Sequence, residues 1–225
     1  TQIPGIVRDK LSEIFDLPGP RVRVIAPDVG GGFGGKTSLY SEEIVASAIS
    51  RALGKPIKWV SDRMEDLMTT GHAFDEVVYA DIAVTKDGEI VGLKADVIGD
   101  VGAYSIYPWT ATIEPVQVVS FMPGPYRIEN YAARVRAVAT NKTLTGAYRG
   151  VGRPISVFVM DRLLDMAARK IGMDPAEIRR RNLVNDDEFP YKAASGLVWD
   201  KSAFQSCLRE ARDKIGYEEL RREQN

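Results

Sequence analysis

Two runs of alternating apolar and polar residues, Val77 to Thr85 and Glu89 to Val97, flank Lys86-Asp87-Gly88. A period of two places the apolar side chains of each run on one face of an extended strand, and a short break ending in glycine reverses the chain. The pattern predicts a long antiparallel β-hairpin over residues 76–99. This feature constrains the fold most, because strands joined by a tight turn are antiparallel neighbours. A regular parallel βαβ sheet would need a crossover there instead.

Helical spacing accounts for much of the rest. A short helix is expected over residues 7–17, stopped by Pro18-Gly19-Pro20, with a strand from Val22 to Ile25 after it. Leu39 to Leu53 carries apolar residues at helical spacing and ends at Gly54. Ile57 to Val60 reads as a strand, and Asp62 as the cap of a brief helix through Leu67. Val135 to Ala139 reads as another strand. The part from 154 to 216 is expected to be helical. Ile155 to Ile171 is amphipathic, and Asp174-Pro175-Ala176-Glu177 combines a capping Asp, Pro at the first helical position and an acid three residues after the cap. Ser202 to Lys214 is a last helix, and the charged end from Glu218 to Asn225 reads as a frayed helix or tail. The expected class is α+β: a mixed sheet with a long antiparallel β-hairpin and packed helices, in one partial domain spanning 1–225.

Composition narrows the chemistry. With 44% hydrophobic and 27% charged residues, the chain can build a core, which excludes disordered and collagen-like classes. Thirty basic residues against 31 acidic ones leave a formal charge of −1, so no nucleic acid partner is expected. No apolar run reaches the ~20 residues of a membrane span. Cys207 is the single cysteine, which rules out an internal disulfide or a thiolate cluster within the chain and fits a reducing, cytoplasmic location. His72, the single histidine, reads as a surface or turn residue. The chain opens on Thr1-Gln2 rather than methionine, as expected of a piece of a longer protein.

Five of the six residues from Gly30 to Gly35 are glycine, interrupted by Phe33. Glycine loses the most backbone entropy on folding, so such a run needs a reason: positive φ, close approach of a bulky group, or flexibility. Gly30 to Thr37 literally matches the phosphate-binding G-x-x-x-x-G-K-[ST] loop. Against that reading stand the ring of Phe33 in the middle of the cradle and the antiparallel hairpin that follows. Asp100 is the best candidate for a magnesium-binding Asp, and it is poorly placed for one. The alternative is a loop holding another extended polar or anionic ligand through its amides, in an enzyme or in a non-enzymatic α+β binding module.

Several stretches resemble, in order and spacing, the molybdenum-cofactor-binding large subunits of the xanthine dehydrogenase, aldehyde oxidase and aerobic carbon monoxide dehydrogenase family. They are Thr1-Gln2, with Gln2 31 residues before Phe33; Gly30 to Lys36; Trp59 to Asp66; Asp100-Val101-Gly102-Ala103-Tyr104; and Thr140-Asn141-Lys142 leading into Ala147-Tyr148-Arg149-Gly150. The resemblance runs from Thr1 to about Trp199. It implies a cofactor loop over 28–38 and molybdopterin held by Gln2, Gly32, Phe33, Gly34 and Arg149. Gln2 would bond the cofactor through its amide and Gly34 through its N–H. No residue of the chain would bind the metal directly. Gln117, Gly150, Val151 and Gly152 would line the substrate pocket.

The resemblance also implies an oxidoreductase in which water supplies the oxygen. Iron–sulfur clusters and FAD would lie on partner subunits or domains. The family's glutamate base would lie in the remainder of the large subunit, leaving no catalytic residue here and an inactive isolated chain. Glu42, Glu43 and Glu114 would be solvated-face residues or loop anchors. Departures narrow the substrate. Gly150-Val151-Gly152 lacks the cysteine of carbon monoxide dehydrogenases. Val151, Thr37 and Gln117 stand where xanthine dehydrogenases have Phe, Glu and Arg. An aldehyde or an N-heteroaromatic small molecule is the expected substrate.

Overall fold

The computed structural model describes residues 1–224; the final residue of the charged tail, Asn225, lies outside the described residues. The chain divides into two compact units. One comprises Thr1–Glu76, Ile98–Glu114 and Arg136–Val151, and the other Val77–Val97, Pro115–Val135 and the chain from Gly152 onward.

In the first unit, α1 (Pro4–Phe15) starts earlier than expected, because Pro4 occupies the first helical position where its missing N–H costs nothing. It buries Val7 and Leu11 and ends on left-handed Asp16. A 3-10 turn (Gly19–Arg21) follows. The strands expected at 22–25 and 57–60 do not form among the described residues. Val22 is extended, but both segments lack a partner strand, and Ile25 and Val60 stay largely exposed. α2 (Ser41–Leu53) is closed by left-handed Gly54. α3 (Arg63–Thr69) has a reciprocal cap: Asp62 Oδ1 accepts the Glu65 N–H at 2.8 Å, and Glu65 Oε2 accepts the Asp62 N–H at 3.0 Å.

Strands β1 (Asp75–Val84), β2 (Ile90–Gly102) and β3 (Tyr131–Ala139) form one sheet in the order β1-β2-β3. β1 and β2 are neighbours joined by only five residues, so they are antiparallel. β2 and β3 run in parallel. The Leu93 N–H donates to the Asn130 carbonyl near their starts, and the Thr140 N–H to the Gly102 carbonyl at their ends. The sheet is therefore mixed, and the crossover between the parallel strands carries α4 (Ile113–Phe121).

The second unit holds the main core. Leu93, Ala95 and Val97 alternate inward on β2 and pack with Val118 and Met122, with Met160 and Leu164 of α5 (Arg153–Ile171), and with Ile178 of α6 (Pro175–Asn182). Gly172 ends α5 in the left-handed region, and Asp174 caps α6 by accepting the Ala176 and Glu177 N–H groups. Strands β4 (Tyr191–Lys192) and β5 (Val198–Trp199) make a small antiparallel pair. α7 (Phe204–Ile215) and α8 (Tyr217–Gln224) complete the described chain. No helix among the described residues is long and apolar enough to cross a membrane.

Candidate cofactor site

The glycine run is clamped from the chain start. The Gln2 N–H donates to the Lys36 carbonyl at 2.8 Å, while Gln2 Oε1 accepts the Gly34 and Lys36 N–H groups at 3.1 and 3.2 Å. A Cβ at Gly32 would lie 2.2 Å from the Gln2 side chain, so glycine there makes room for the clamp. The Gly34 N–H, expected to reach a cofactor, is instead bonded to Gln2. Gly34 matters through space: at φ +101 its absent Cβ would sit 2.3 Å from the Ala147 carbonyl oxygen.

The same unit brings Arg149 to the loop. Its N–H donates to the Phe33 carbonyl at 2.8 Å, and its guanidinium stands 5.8 Å from the centre of the Phe33 ring. Phe33 has φ +52 and is 58% exposed, so it is held out on the surface rather than plugged into a core. Gln2, Gly32, Phe33, Gly34 and Arg149 thus form one cluster. Gly150, Val151 and Gly152 all have positive φ, a strained conformation for β-branched Val151. Gly152 caps α5. Gln117 belongs to the second unit, where its Oε1 accepts from Arg153 at 2.8 Å.

The phosphate-loop reading fails on geometry. Lys36 Nζ donates to the Val29 carbonyl at 2.6 Å, closing the loop on itself, and no strand precedes the loop. Asp100 is not a metal ligand in waiting. It accepts from Thr140 Oγ1 and the Gly102 N–H and pairs with Lys142, which also reaches Asp75. The Thr140 hydroxyl first, then Lys142, hold the Asp100 carboxyl down to about 2. Two of the resembling stretches therefore make one structural tie. His72 is exposed but forms an isolated parallel bridge with Thr145 rather than a turn, with Nε2 2.8 Å from the Leu67 carbonyl oxygen.

Two residues, Tyr40 and Glu76, escaped the sequence reading, and Glu114 was read only as one of two alternatives. Tyr40 donates its hydroxyl to the Gly35 carbonyl at 2.6 Å and accepts the Gly71 N–H at 3.1 Å; burial raises its pKa. Its place at the start of α2, just after the loop, was the available signal. Glu114, expected on a solvated face or as a loop anchor, is the anchor: it is 2% exposed, and its Oε1 accepts the Tyr148 N–H at 3.0 Å beside Arg149. Glu76, the second residue of β1, has both carboxyl oxygens buried. Burial, then the charge of Glu114, push it up to about 7. No local pattern marks either acid.

The cluster suits a group rich in oxygen acceptors. The N–H groups of Gly30, Gly31, Gly32 and Phe33 meet no acceptor among the described residues, and neither does Gln2 Nε2. Arg149 adds a permanent positive charge to these unclaimed donors.

Comparison with known proteins agrees. Residues 1–183 match the molybdopterin cofactor-binding domain model. The chain is 36% identical to the carbon monoxide dehydrogenase large chain of Hydrogenophaga pseudoflava, covering 100% of this chain and 28% of that protein. It is 34% identical to the nicotine 6-hydroxylase large subunit of Paenarthrobacter nicotinovorans, with the same coverage. The crystal structure of quinoline 2-oxidoreductase from Pseudomonas putida 86 matches with a TM-score of 0.95 at 35% identity, again over 100% of this chain and 28% of that one. The chain thus spans little more than a quarter of the length of these relatives. With its clamped glycine loop and the guanidinium beside Phe33, it belongs to the molybdopterin cofactor-binding domain family.

Proposed function

We propose that the chain forms part of the large subunit of a molybdenum hydroxylase that oxidises an aldehyde or an N-heteroaromatic compound, with water as the oxygen source. The observation that carries this reading is the row of unclaimed N–H groups from Gly30 to Phe33 beside the Gln2 clamp and Arg149.

Molybdopterin, when bound, supplies the two-electron oxidation of the substrate carbon. The residues of this chain position it. Gln2 Nε2 and the loop amides donate hydrogen bonds to its oxygen atoms. Arg149 offsets its negative charge, and the Phe33 ring shields that charge from water. Gly34 contributes by letting the loop lie against Ala147. The substrate-pocket roles of Gln117, Gly150, Val151 and Gly152 belong to the same proposal and rest on the resemblance. The missing cysteine at 150–152 argues against carbon monoxide as substrate, despite the likeness to the carbon monoxide dehydrogenase large chain. Nicotine 6-hydroxylase and quinoline 2-oxidoreductase are named for N-heteroaromatic compounds, which favours that class. The base would come from the remainder of the large subunit, and iron–sulfur and FAD subunits would take the electrons. A cytoplasmic location completes the reading, supported by the free, exposed Cys207.

The test is to produce the large subunit that contains this chain together with its iron–sulfur and FAD partners. Molybdenum should co-purify, labelled oxygen from water should enter oxidised quinoline or an aldehyde, and Gln2→Ala or Phe33→Ala should lower both readouts. The 225-residue chain alone should be inactive. ATP binding that is lost on Lys36→Ala, with no molybdenum recovered, would sink the proposal.

A further inference from the structure

Tyr40 stands at the start of α2, where Glu43 fixes its main chain twice. The Tyr40 N–H donates to Glu43 Oε2 at 3.0 Å, and the Tyr40 carbonyl accepts the Glu43 N–H at 3.2 Å. The side chain then joins two segments remote in sequence. Its hydroxyl donates to the Gly35 carbonyl at 2.6 Å, at the end of the glycine run, and accepts the Gly71 N–H at 3.1 Å. The bonds continue beyond Gly71. The His72 N–H donates to the Leu144 carbonyl and the His72 carbonyl accepts the Gly146 N–H, each at 3.0 Å. Thr145, between these two, is held by the end of β2: its N–H donates to the Val101 carbonyl at 3.3 Å and its hydroxyl to the Asp100 carbonyl at 3.2 Å. Further along, the Arg149 N–H donates to the Phe33 carbonyl at 2.8 Å, which returns to the glycine run. All of these residues lie in the first unit.

Together these bonds make a closed circuit. It runs from Phe33 and Gly35 through Tyr40, His72 and the 144–146 segment to Arg149, and back to Phe33. The Arg149–Phe33 bond alone is a single pivot about which the two segments could turn. Support from the far side, through Tyr40, removes that freedom. Its hydroxyl is the side-chain link in a circuit otherwise closed by main-chain bonds, so one substitution can open it with the backbone intact. We propose that Tyr40 is a positioning residue: its hydroxyl closes the circuit and so sets where the glycine loop lies relative to Arg149. The Gln2 clamp shapes the loop itself, and the Tyr40 link places it. This deepens the cofactor-site reading and rests on it for its effect on catalysis. Loop amides and a guanidinium that must meet one group together lose efficiency when their spacing drifts.

Amide hydrogen exchange in the 225-residue chain reads the circuit without any cofactor. Tyr40→Phe removes the hydroxyl and keeps the aromatic ring. The Gly71 amide then loses its acceptor, and the Arg149 amide, which is not bonded to Tyr40, loses its support. Both should exchange about fivefold faster. Leu11→Ala truncates a buried side chain of α1 in the same unit and leaves the circuit closed, so the Arg149 amide should stay within about twofold of wild type. An Arg149 amide unaffected by Tyr40→Phe overturns the inference. So does one that Leu11→Ala speeds equally, because the hydroxyl would then supply stability alone. In the assembled enzyme, Tyr40→Phe should lower kcat per bound molybdenum about fivefold with KM within about twofold of wild type. An unchanged kcat per molybdenum also overturns the inference. Wild-type enzyme that holds no molybdenum would sink the functional reading and leave the exchange result standing; molybdenum held normally beside an unaffected Arg149 amide would do the reverse.

Discussion

The α-carbon of Gly34 faces the carbonyl of Ala147 so closely that a methyl group there would lie 2.3 Å from the oxygen. The backbone at Gly34 is also at φ +101, where an L side chain is strained. Gly34→Ala combines overpacking with backbone strain and should cost about 2–4 kcal/mol. Urea denaturation of the chain checks the magnitude. If the loop relaxes instead, the cost will be under about 1 kcal/mol, and the role given to this close approach fails.

The loop and its clamp were legible for different reasons. Five glycines around Phe33 announce a demand on the backbone whatever the ligand, but they could not separate a phosphate cradle from a cofactor loop. The fate of Lys36 Nζ separated them, and no local pattern encodes it. The hairpin was visible because alternation is local. The parallel pairing of β3 was not, because that strand is exposed at most positions and shows little alternation. α4 was missed because Pro115 and the β-branched Val116, Val118 and Val119 argue against a helix. Pro115 is tolerated in the first turn, and burial of Val118 outweighs propensity. At 22–25 and 57–60 the error ran the other way: β-forming residues with no neighbouring strand make no sheet. Glu76 could not be read at all, and Glu114 only as one of two alternatives, since chain folding alone decides which acids become buried.

Gln2 performs two tasks that substitution can split. Its oxygen orders the loop, and its Nε2 is free to reach outward. Gln2→Ala removes both, and should speed amide exchange at Gly34 and Lys36 by about fivefold, equivalent to roughly 1 kcal/mol. Gln2→Glu keeps the acceptor and loses the donor. It should leave exchange at Gly34 and Lys36 near wild type while lowering the molybdenum content of the assembled enzyme. Equal losses in both variants and both measurements would mean that the amide has only a structural task.

Asn182 ties α6 to the hairpin turn. Buried at 4% exposure, its Oδ1 accepts the Ile90 N–H at 2.9 Å, and its Nδ2 donates to the Gly88 and Ile178 carbonyls at 2.7 Å each. Asn182→Leu keeps similar bulk but leaves the Ile90 N–H and the Gly88 carbonyl unpaired in the interior. The expected cost is about 2–4 kcal/mol, read as a lower urea midpoint at an unchanged slope. A neutral outcome would mean that water or a local shift takes over those bonds.

Burial and the charge on Glu114 raise the Glu76 carboxyl from its ordinary 4.5 to about 7, so the folded chain holds the Glu76 proton more tightly than the unfolded one. Below about pH 4.5 both states are protonated, and the group leaves the folding equilibrium untouched. Between about 4.5 and 7 the unfolded chain loses its proton first, so stability declines as the pH rises. Above about 7 the whole contribution is lost. Glu76 is only partly buried, so solvent screening reduces the effect to about 1–2 kcal/mol. Glu76→Gln cannot ionise, so it should melt about 2–6 °C above wild type at pH near 8 and close to wild type at pH near 5. Melting curves at the two pH values decide the matter. If the gap has the same size at both, the change reflects packing alone, and Glu76 does not titrate with folding.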